Sequence, residues 1–453
     1  MRDRHLDAPL PCSSSKSGRT ARRSPRVKLT LAAALVTTAV IPAFPAVAEA
    51  SPSIRYGIQD DAYFSAGPSL ETRLGTLDQL GAKLVRHMLS WRDIAPTKPR
   101  HPALPSDPAY RWTTTDRVLG ALHAHGTTVL VTFYRVPSWA NGGRGSSVVP
   151  NDKRALADFA VAVAKRYPWL RLWEVWNEPN LQSFLNPNSP RLYVQRMLNP
   201  TYRALHVLRP ANRVAGGATA PLSTSSGLSP VTFMRGMRKA HALLDAYSHH
   251  PYPVTRGEGP FGFAHGVCRY CKGVLTLANL PVLVREVRHD FGPKRIWLTE
   301  SGWQTNPPDR AGVSPALQAR YVAESALRVR AAPLVDILIH FVLKDESRPS
   351  GWQSGLMWAS GLPKPSFNSF MLPIAEAGRR GRHTRIWGQV RPGTGRRRYV
   401  LERFTRGHWS AVGRPALTDS NGSYERAVYA ARGARYRIAW LPSNTFSRPL
   451  VVR

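Results

Sequence analysis

The sequence predicts an α/β protein: a closed (β/α)8 TIM barrel over residues 51–378, followed by a small all-β sandwich over residues 379–453. Three observations carry this expectation. Between 51 and 378, short β-branched runs alternate eight times with longer amphipathic stretches, the pattern of repeated βα units around a parallel sheet. After about residue 379 the pattern changes to short alternating strands near ten residues apart, with Gly-rich turns, as in a β-sandwich. The chain has 453 residues, room for one barrel and a modest second module.

Strands are expected at 54–59, 83–88, 128–133, 170–176, 213–218, 243–248, 295–299 and 335–343, with helices between them at 113–125, 152–167, 191–208 and 315–332 among others. The stretch 152–167 shows the reasoning. Leu156, Phe159, Ala160, Val163 and Tyr167 recur at spacings of three and four and share one face, while Lys153, Arg154 and Asp158 line the other. Such a helix lies on a sheet. In the C-terminal module, strand-like runs occupy 385–388, 399–404, 408–412 and 436–440, Asn421-Gly422 makes a turn, and 379–385 is expected to be the linker. Trp387, Trp409 and Trp440 suit either the filling of the sandwich or an aromatic face that binds sugar.

Residues 1–50 read as a signal peptide and basic N-terminal region. An Arg/Lys/Ser-rich stretch precedes an apolar run at 29–41, then Pro42, Pro45 and small residues at Ala46, Ala48 and Ala50. The run is shorter than the ~20 residues of a membrane span, and no later segment is long and apolar enough to make one. Arg22-Arg23 leaves a twin-arginine route open beside the general one. The expected location is therefore secreted, with association to the cell envelope as an option.

Export bears on the cysteines. Cys12 falls in the segment to be removed, which leaves Cys268 and Cys271 as a C-x-x-C in a loop. A disulfide is the expected state, with zinc or free thiols as alternatives. His265 is near, but no second C-x-x-C or H-x-H completes the roughly four ligands zinc needs, so no metal and no cofactor is expected.

The formal charge is +35, and residues 1–50 carry only +5 of it, from eight Lys/Arg against three Asp/Glu. The remainder is strongly basic, and 379–453 alone holds 17 Arg against Glu402, Asp419 and Glu425. Such a field attracts polyanions: acidic polysaccharide, envelope polymers, anionic lipid or nucleic acid. An arginine-rich genome accounts for it equally well, and no RNP, zinc-finger or helix-turn-helix pattern points to a specific nucleic acid.

Two strand ends carry chemistry. The fourth ends in Trp173-Glu174-Val175-Trp176-Asn177-Glu178-Pro179-Asn180 and the seventh in Trp297-Leu298-Thr299-Glu300-Ser301-Gly302-Trp303. Cleavage of a glycosidic bond with retention needs one carboxylic acid to protonate the leaving oxygen and one carboxylate to attack from the other side, roughly 5–5.5 Å away. Strands four and seven face each other across an eight-stranded barrel, and 122 residues between Glu178 and Glu300 match about three βα units of ~40. Glu178 and Glu300 are therefore the candidate pair of catalytic carboxylates. Arg86, at the end of the second strand, is placed to keep Glu300 ionised.

Asn177-Glu178-Pro179 together with Glu300-Ser301-Gly302-Trp303 resembles the clan of retaining barrel hydrolases that includes cellulases, β-mannanases and β-xylosidases. The likeness spans about 54–377. It is most similar, through Val136-Pro137-Ser138-Trp139-Ala140, to the β-xylosidase-like branch and related bacterial exopolysaccharide hydrolases. The resemblance implies Glu178 as acid/base, Glu300 as nucleophile, Asn177 as partner of the sugar 2-hydroxyl, and Arg86, His250 and Tyr252 around the nucleophile. Trp139 and Trp303, next to strand ends, lean toward the cleft. Members of the clan end strand eight with a Trp under the sugar; this chain has Ile339-His340-Phe341-Val342-Leu343, so Phe341, or Trp352 or Trp358 beyond it, is expected to supply the platform. The C-terminal module resembles small immunoglobulin-like repeats of secreted bacterial proteins.

The sequence thus reads as a secreted glycosidase acting on a β-linked poly- or oligosaccharide that is neutral or acidic. The alternatives are a catalytically weak glycan-binding envelope protein anchored through its basic module to an anionic polymer, and a nucleic-acid binder supported by charge alone.

Overall fold

A computed structural model describes residues 54–66, 69–223, 227–255, 257–262 and 273–453. All belong to one compact unit, Val47–Arg453. The expected signal peptide and the Cys268/Cys271 pair lie outside the described residues.

Strands β1 (Arg55–Gln59), β2 (Leu84–Ser90), β3 (Thr128–Tyr134), β4 (Leu172–Glu174), β5 (Arg213–Thr219), β6 (Ala246–His249), β7 (Arg295–Leu298) and β8 (Val335–Phe341) form a closed barrel. Each pairs in parallel with the next, and β8 closes on β1. Side chains alternate in and out along each strand. Leu84, Leu130, Leu172, Ala215, Ala246, Trp297, Ile337 and Ile339 meet inside and fill the barrel. Outward-facing Val85, Val131, Phe133 and Trp173 pack on helices such as Thr113–Ala124 and Ala155–Arg166, whose Leu119, Leu122, Leu156, Phe159 and Val163 are buried. Each fully buried side chain of this size contributes about 1.5–3 kcal/mol of transfer free energy.

Element ends differ from expectation for local reasons. The helix of 152–167 starts at Ala155, because the Asp152 carboxylate accepts the Arg154 N–H at 2.8 Å and holds the preceding residues in a turn. The stretch 191–208 is three pieces: Pro190–Tyr193, a π turn Val194–Leu198, and Asn199–Leu208. Pro200 has no N–H to give and its ring crowds the preceding turn, which the wider π turn accommodates. Strand eight stops at Phe341 because the Leu343 and Lys344 N–H groups turn to the Asp60 carboxylate, at 3.1 and 3.0 Å.

The expected linker at 379–385 is corrected. Ile374–Arg380 and His383–Gln389 pair as an antiparallel hairpin, so the β module begins at Ile374 and the 378/379 boundary falls inside a strand. Ser423–Tyr429 completes this three-stranded sheet. A six-stranded sheet is built around Arg398–Thr405 and Arg435–Trp440. Ile386, Tyr399, Leu401, Tyr424, Tyr436 and Ile438 are buried in one cluster within the module.

The three-stranded sheet also meets the barrel. Trp387 is buried in the barrel's own hydrophobic cluster, and the Arg330 guanidinium lies 5.9 Å from its ring centre. Arg391 is buried with its guanidinium 3.7 Å from the Tyr56 ring centre and 4.4 Å from that of Phe370. Burial pushes its pKa down to about 10.

His249, at the end of β6, is fully buried with both ring nitrogens engaged: Nδ1 with the Thr219 hydroxyl at 2.8 Å and Nε2 with the Leu275 carbonyl at 2.9 Å. A carbonyl only accepts, so Nε2 carries the proton and Nδ1 takes the hydroxyl's. Burial pushes the pKa down to about 3. A histidine depressed in the folded state lends stability above its unfolded value of about 6.5 and loses it as pH falls from there toward the folded value. His249→Gln is therefore expected to be less stable than the parent at pH 7 but to lose about 2 kcal/mol less stability between pH 7 and pH 5, read from denaturant unfolding at each pH.

Candidate active site

Two residues beyond the interior Leu84, Leu130 and Leu172, the same inward face of β2, β3 and β4 carries Arg86, Thr132 and Glu174. A polar layer thus sits on the apolar plug, toward the C-terminal mouth where barrel sites form. Arg86 is fully buried and organises it. Its Nε donates to Thr132 Oγ1 at 2.9 Å and to Glu174 Oε2 at 2.8 Å; Nη1 donates to Glu300 Oε1 at 2.5 Å and to Gln59 Oε1; Nη2 donates to Asn177 Oδ1 at 2.8 Å. Thr132 adds a hydrogen bond to Glu174 Oε2 at 2.7 Å. Burial works against the charge on Arg86, but the Glu174 and Glu300 carboxylates outweigh it and hold its pKa above the ordinary arginine value. Burial likewise opposes ionisation of Glu174, and Arg86 overrides it, so its carboxyl lies below the usual range.

Glu178 is placed by a strained turn. Trp176 (φ 74°) and Glu178 (φ 41°) both lie in the left-handed region, as does Ala218 (φ 42°) on the neighbouring strand. Non-glycine residues hold such angles only where surroundings fix them. Here the Glu178 N–H bonds the Ala218 carbonyl at 2.9 Å, the Trp176 indole N–H bonds the Phe184 carbonyl at 2.9 Å, and the Tyr193 hydroxyl bonds the Val175 carbonyl at 2.6 Å. The carboxylate is thereby turned over the barrel mouth.

Glu300 follows β7. Ser301 ties this end to β8 through its hydroxyl on the Ile339 carbonyl at 2.8 Å and its own carbonyl on the Phe341 N–H at 2.9 Å. Gly302 is required there, since a Cβ would come within 2.7 Å of the Phe341 carbonyl oxygen. Both Glu300 oxygens are held: Oε1 by Arg86, and Oε2 by the Tyr252 hydroxyl at 2.9 Å. Burial, then the Glu300 charge, raises the Tyr252 pKa well above its ordinary value, so the phenol stays a donor. His250 Nδ1 lies 2.9 Å from Glu178 Oε1 and 3.7 Å from Glu300 Oε2. Burial pushes its pKa down, but the Glu300 charge and the Glu178 hydrogen bond outweigh this and hold it above the usual histidine value.

One oxygen of Glu178, one of Glu300 and a His250 nitrogen all lie within 4.8 Å of one another. The glutamate side chains are 14% and 10% exposed. A cation among these three would sit beside the Arg86 guanidinium, so the set fits proton and carboxylate chemistry better than metal binding. A carboxyl group in contact with an imidazole, facing a second carboxyl group fixed by a guanidinium and a phenol, is what the arrangement offers.

Arg86, Asn177, Glu178, His250, Tyr252 and Glu300 thus come together as the sequence suggested. Sequence reasoning missed Gln59, Thr132 and Glu174; for Thr132 and Glu174 a polar residue two positions after an interior Leu on adjacent strands is a readable signal, whereas Gln59 stands two after Gly57 and carries no such mark. Phe341 sits at the mouth, edge-on to Tyr252 at 6.4 Å and to Trp352 at 4.9 Å, and Trp352 stacks on Tyr252 at 5.5 Å. Trp358 instead lies over the buried Lys364 ammonium, 4.7 Å from its ring centre. Trp139 is half-buried, edge-on to Trp91 at 5.6 Å, with its indole N–H on the Ala95 carbonyl at 2.8 Å.

Trp303 is corrected. It is 4% exposed, donates to the Glu258 carbonyl at 2.8 Å and packs against Tyr321 of the helix Pro315–Arg330 at 5.3 Å. Its ring fills space between strand end and helix, with almost no surface left for a sugar.

No protein-family model and no curated protein matches this sequence. Among solved structures, the chain is similar to a family 39 glycoside hydrolase from the gut symbiont Bacteroides cellulosilyticus WH2, with a TM-score of 0.55 at 16% identity over 83% of this chain and 79% of that one. A bifunctional glucanase-xylanase from a metagenome library gives 0.49 at 11% identity, over 84% and 95% of the two chains. A family 1 β-glucosidase from Thermotoga maritima gives 0.47 at 13%, over 71% and 97%. The first likeness establishes a shared fold.

Arg86 neutralises two buried carboxylates, so removing it strands both. Arg86→Met is expected to lower the unfolding free energy by about 3–5 kcal/mol, the usual result of breaking a buried ion pair from one side. Urea denaturation checks this, and adding Glu174→Gln to Arg86→Met should restore part of the loss.

Proposed function

We propose that the protein is a retaining glycoside hydrolase that cleaves a β-linked poly- or oligosaccharide, with Glu178 as acid/base and Glu300 as nucleophile. The observation that carries this reading is that one oxygen of Glu178 and one of Glu300 come within 4.8 Å of each other at the mouth of the barrel, which leaves no gap of the inverting width between them. Double displacement needs roughly 5–5.5 Å, whereas inversion needs about 6.5–9.5 Å to admit a water.

In the first step a Glu300 oxygen bonds to the anomeric carbon while the carbon–oxygen bond to the leaving group breaks and Glu178 gives that oxygen its proton. Arg86 and Tyr252 hold Glu300 in line for this attack. In the second step Glu178 takes a proton from water, the water oxygen bonds to the anomeric carbon, and Glu300 departs as carboxylate. Negative charge therefore passes from Glu300 to Glu178 and back. His250 Nδ1 stands 2.9 Å from Glu178 and 3.7 Å from Glu300, beside both ends of this charge movement. Asn177, its oxygen taken by Arg86, has its amide N–H groups left for a sugar hydroxyl. Phe341 and Trp352 are the aromatic surface at the mouth on which a pyranose can rest.

We read the chain as exported and associated with the cell envelope, on the strength of its N-terminal 50 residues and its charge. The C-terminal module is read as an immunoglobulin-like accessory unit.

A panel of aryl β-glycosides tests the reading. Glu300→Ala is expected to abolish turnover, with azide restoring release of the aryl group and yielding a glycosyl azide of inverted configuration. Glu178→Ala should cut kcat roughly 10²- to 10⁴-fold on poor leaving groups and less on activated ones. If the parent binds glycans tightly and cleaves none, the binding-protein alternative replaces this one.

A further inference from the structure

The six-stranded sheet turns one face to the three-stranded sheet, which rests on the barrel; its other face points away. Directly paired residues of antiparallel strands share a face, as do residues two apart on one strand. The pairs Phe404 with Trp409, Glu402 with Arg437, Arg398 with Leu417 and Ala439 with Phe446 therefore put Arg398, Glu402, Phe404, Trp409, Arg435, Arg437 and Phe446 on the outer face. The alternate residues Tyr399, Leu401, Tyr436 and Ile438 are buried in the module's core, and on the outer face Val400 and Ala439, paired at its centre, are buried as well.

The outer face is a ladder of rings and guanidiniums. Arg435 lies 4.5 Å from the ring centre of Phe404 and 5.8 Å from that of Trp409; Arg437 lies 4.5 Å from Trp409 and 3.8 Å from Phe446. Arg437 also bonds Glu402 at 2.6 Å. A guanidinium stacked on a ring loses little further freedom on binding and keeps its in-plane N–H fork for an anion, the geometry that takes a carboxylate with two hydrogen bonds. Glu402 is the lone acid on this face among the residues named above, so three arginines leave it net positive.

We propose that this outer sheet face binds a carboxylate-bearing polysaccharide. Charge complementarity supplies the attraction, and planar forks on fixed rings supply the selectivity for carboxylate. Glu402 in the middle repels a dense phosphate backbone while accepting sugar hydroxyls, which favours a sparsely charged polysaccharide over a nucleic acid. Binding here places the polymer on the same compact unit as the cleft.

Titration of the full chain with polygalacturonate, neutral dextran and polyuridylate, at low and at high salt, tests this. Three variants are compared: Arg398→Gln/Arg435→Gln; Trp409→Ala, which removes the ring beside the Arg435 and Arg437 guanidiniums without changing charge; and Lys153→Gln/Arg154→Gln, with the same charge loss at exposed positions beside a barrel helix. The parent is expected to bind polygalacturonate over dextran, and the first two variants to bind it roughly three- to tenfold more weakly at low salt while the third changes little. Equal weakening by the Lys153/Arg154 variant, unchanged binding by Trp409→Ala with a native thermal melt, or tighter and equally sensitive binding of polyuridylate would each overturn the proposal. The arginine pair is exposed and its variant is judged by the same melt, so a folding failure at Trp409 leaves the arginine comparison decisive.

Discussion

The Arg86 guanidinium, buried in the barrel mouth and bonded to five side chains from four other strands or strand ends, is the constraint on which the site depends. An unpaired charge at this depth would cost several kcal/mol. Two carboxylates and three neutral acceptors instead complete its coordination, so Gln59, Thr132, Glu174, Asn177 and Glu300 have little freedom to move independently. Glu174 has no place in the proposed chemistry, yet without its charge Arg86 would belong wholly to Glu300. Sharing one cation between Glu174 and Glu300 fixes both side chains against the same guanidinium.

The barrel provides this arrangement through alternation. A layer of Leu, Ala, Ile and Trp closes the interior below, and the next inward positions on β2, β3 and β4 meet above it. Strain gathers where β4 ends, since Trp176 and Glu178 in the turn and Ala218 on facing β5 all hold left-handed angles. The hydrogen bonds around that turn come from rigid neighbours, Ala218 on β5 and Tyr193 of a packed helix. A carboxylate presented in this way does not need to be ordered by its ligand, which lowers the entropy lost on binding.

Much of this was legible in the sequence, for identifiable reasons. Eight alternations of period two and period 3.6 are a strong signal, and all eight strands lie at or within two or three residues of their expected places. Glu178 and Glu300 were visible because two strand-end motifs stand the right number of βα units apart. What escaped was information of a different kind. Adjacency to a strand end does not say which way a chain turns, so Trp303 was expected in the cleft, whereas Ser301 and Gly302 lead it behind β8 onto a helix. The run Arg379-Arg380-Gly381-Arg382 looks like a charged linker, but Gly381 at φ 58° is a hairpin turn whose strands are polar on one face. The double histidine shows the same limit: His249 points outward into a neutral, buried pocket and His250 inward onto both glutamates, a distinction set by strand parity.

Treatment with a 2-deoxy-2-fluoro glycoside of whichever sugar the protein turns over, followed by digestion and mass spectrometry, tests the central geometry most directly. Fluorine slows both steps, and a good leaving group lets the first outrun the second, so a covalent intermediate accumulates. The expected result is a single glycosyl adduct on the peptide carrying Glu300, which disappears when a transglycosylation acceptor is added. Steady turnover with no adduct, or an adduct on any other residue, would contradict double displacement across these two carboxylates.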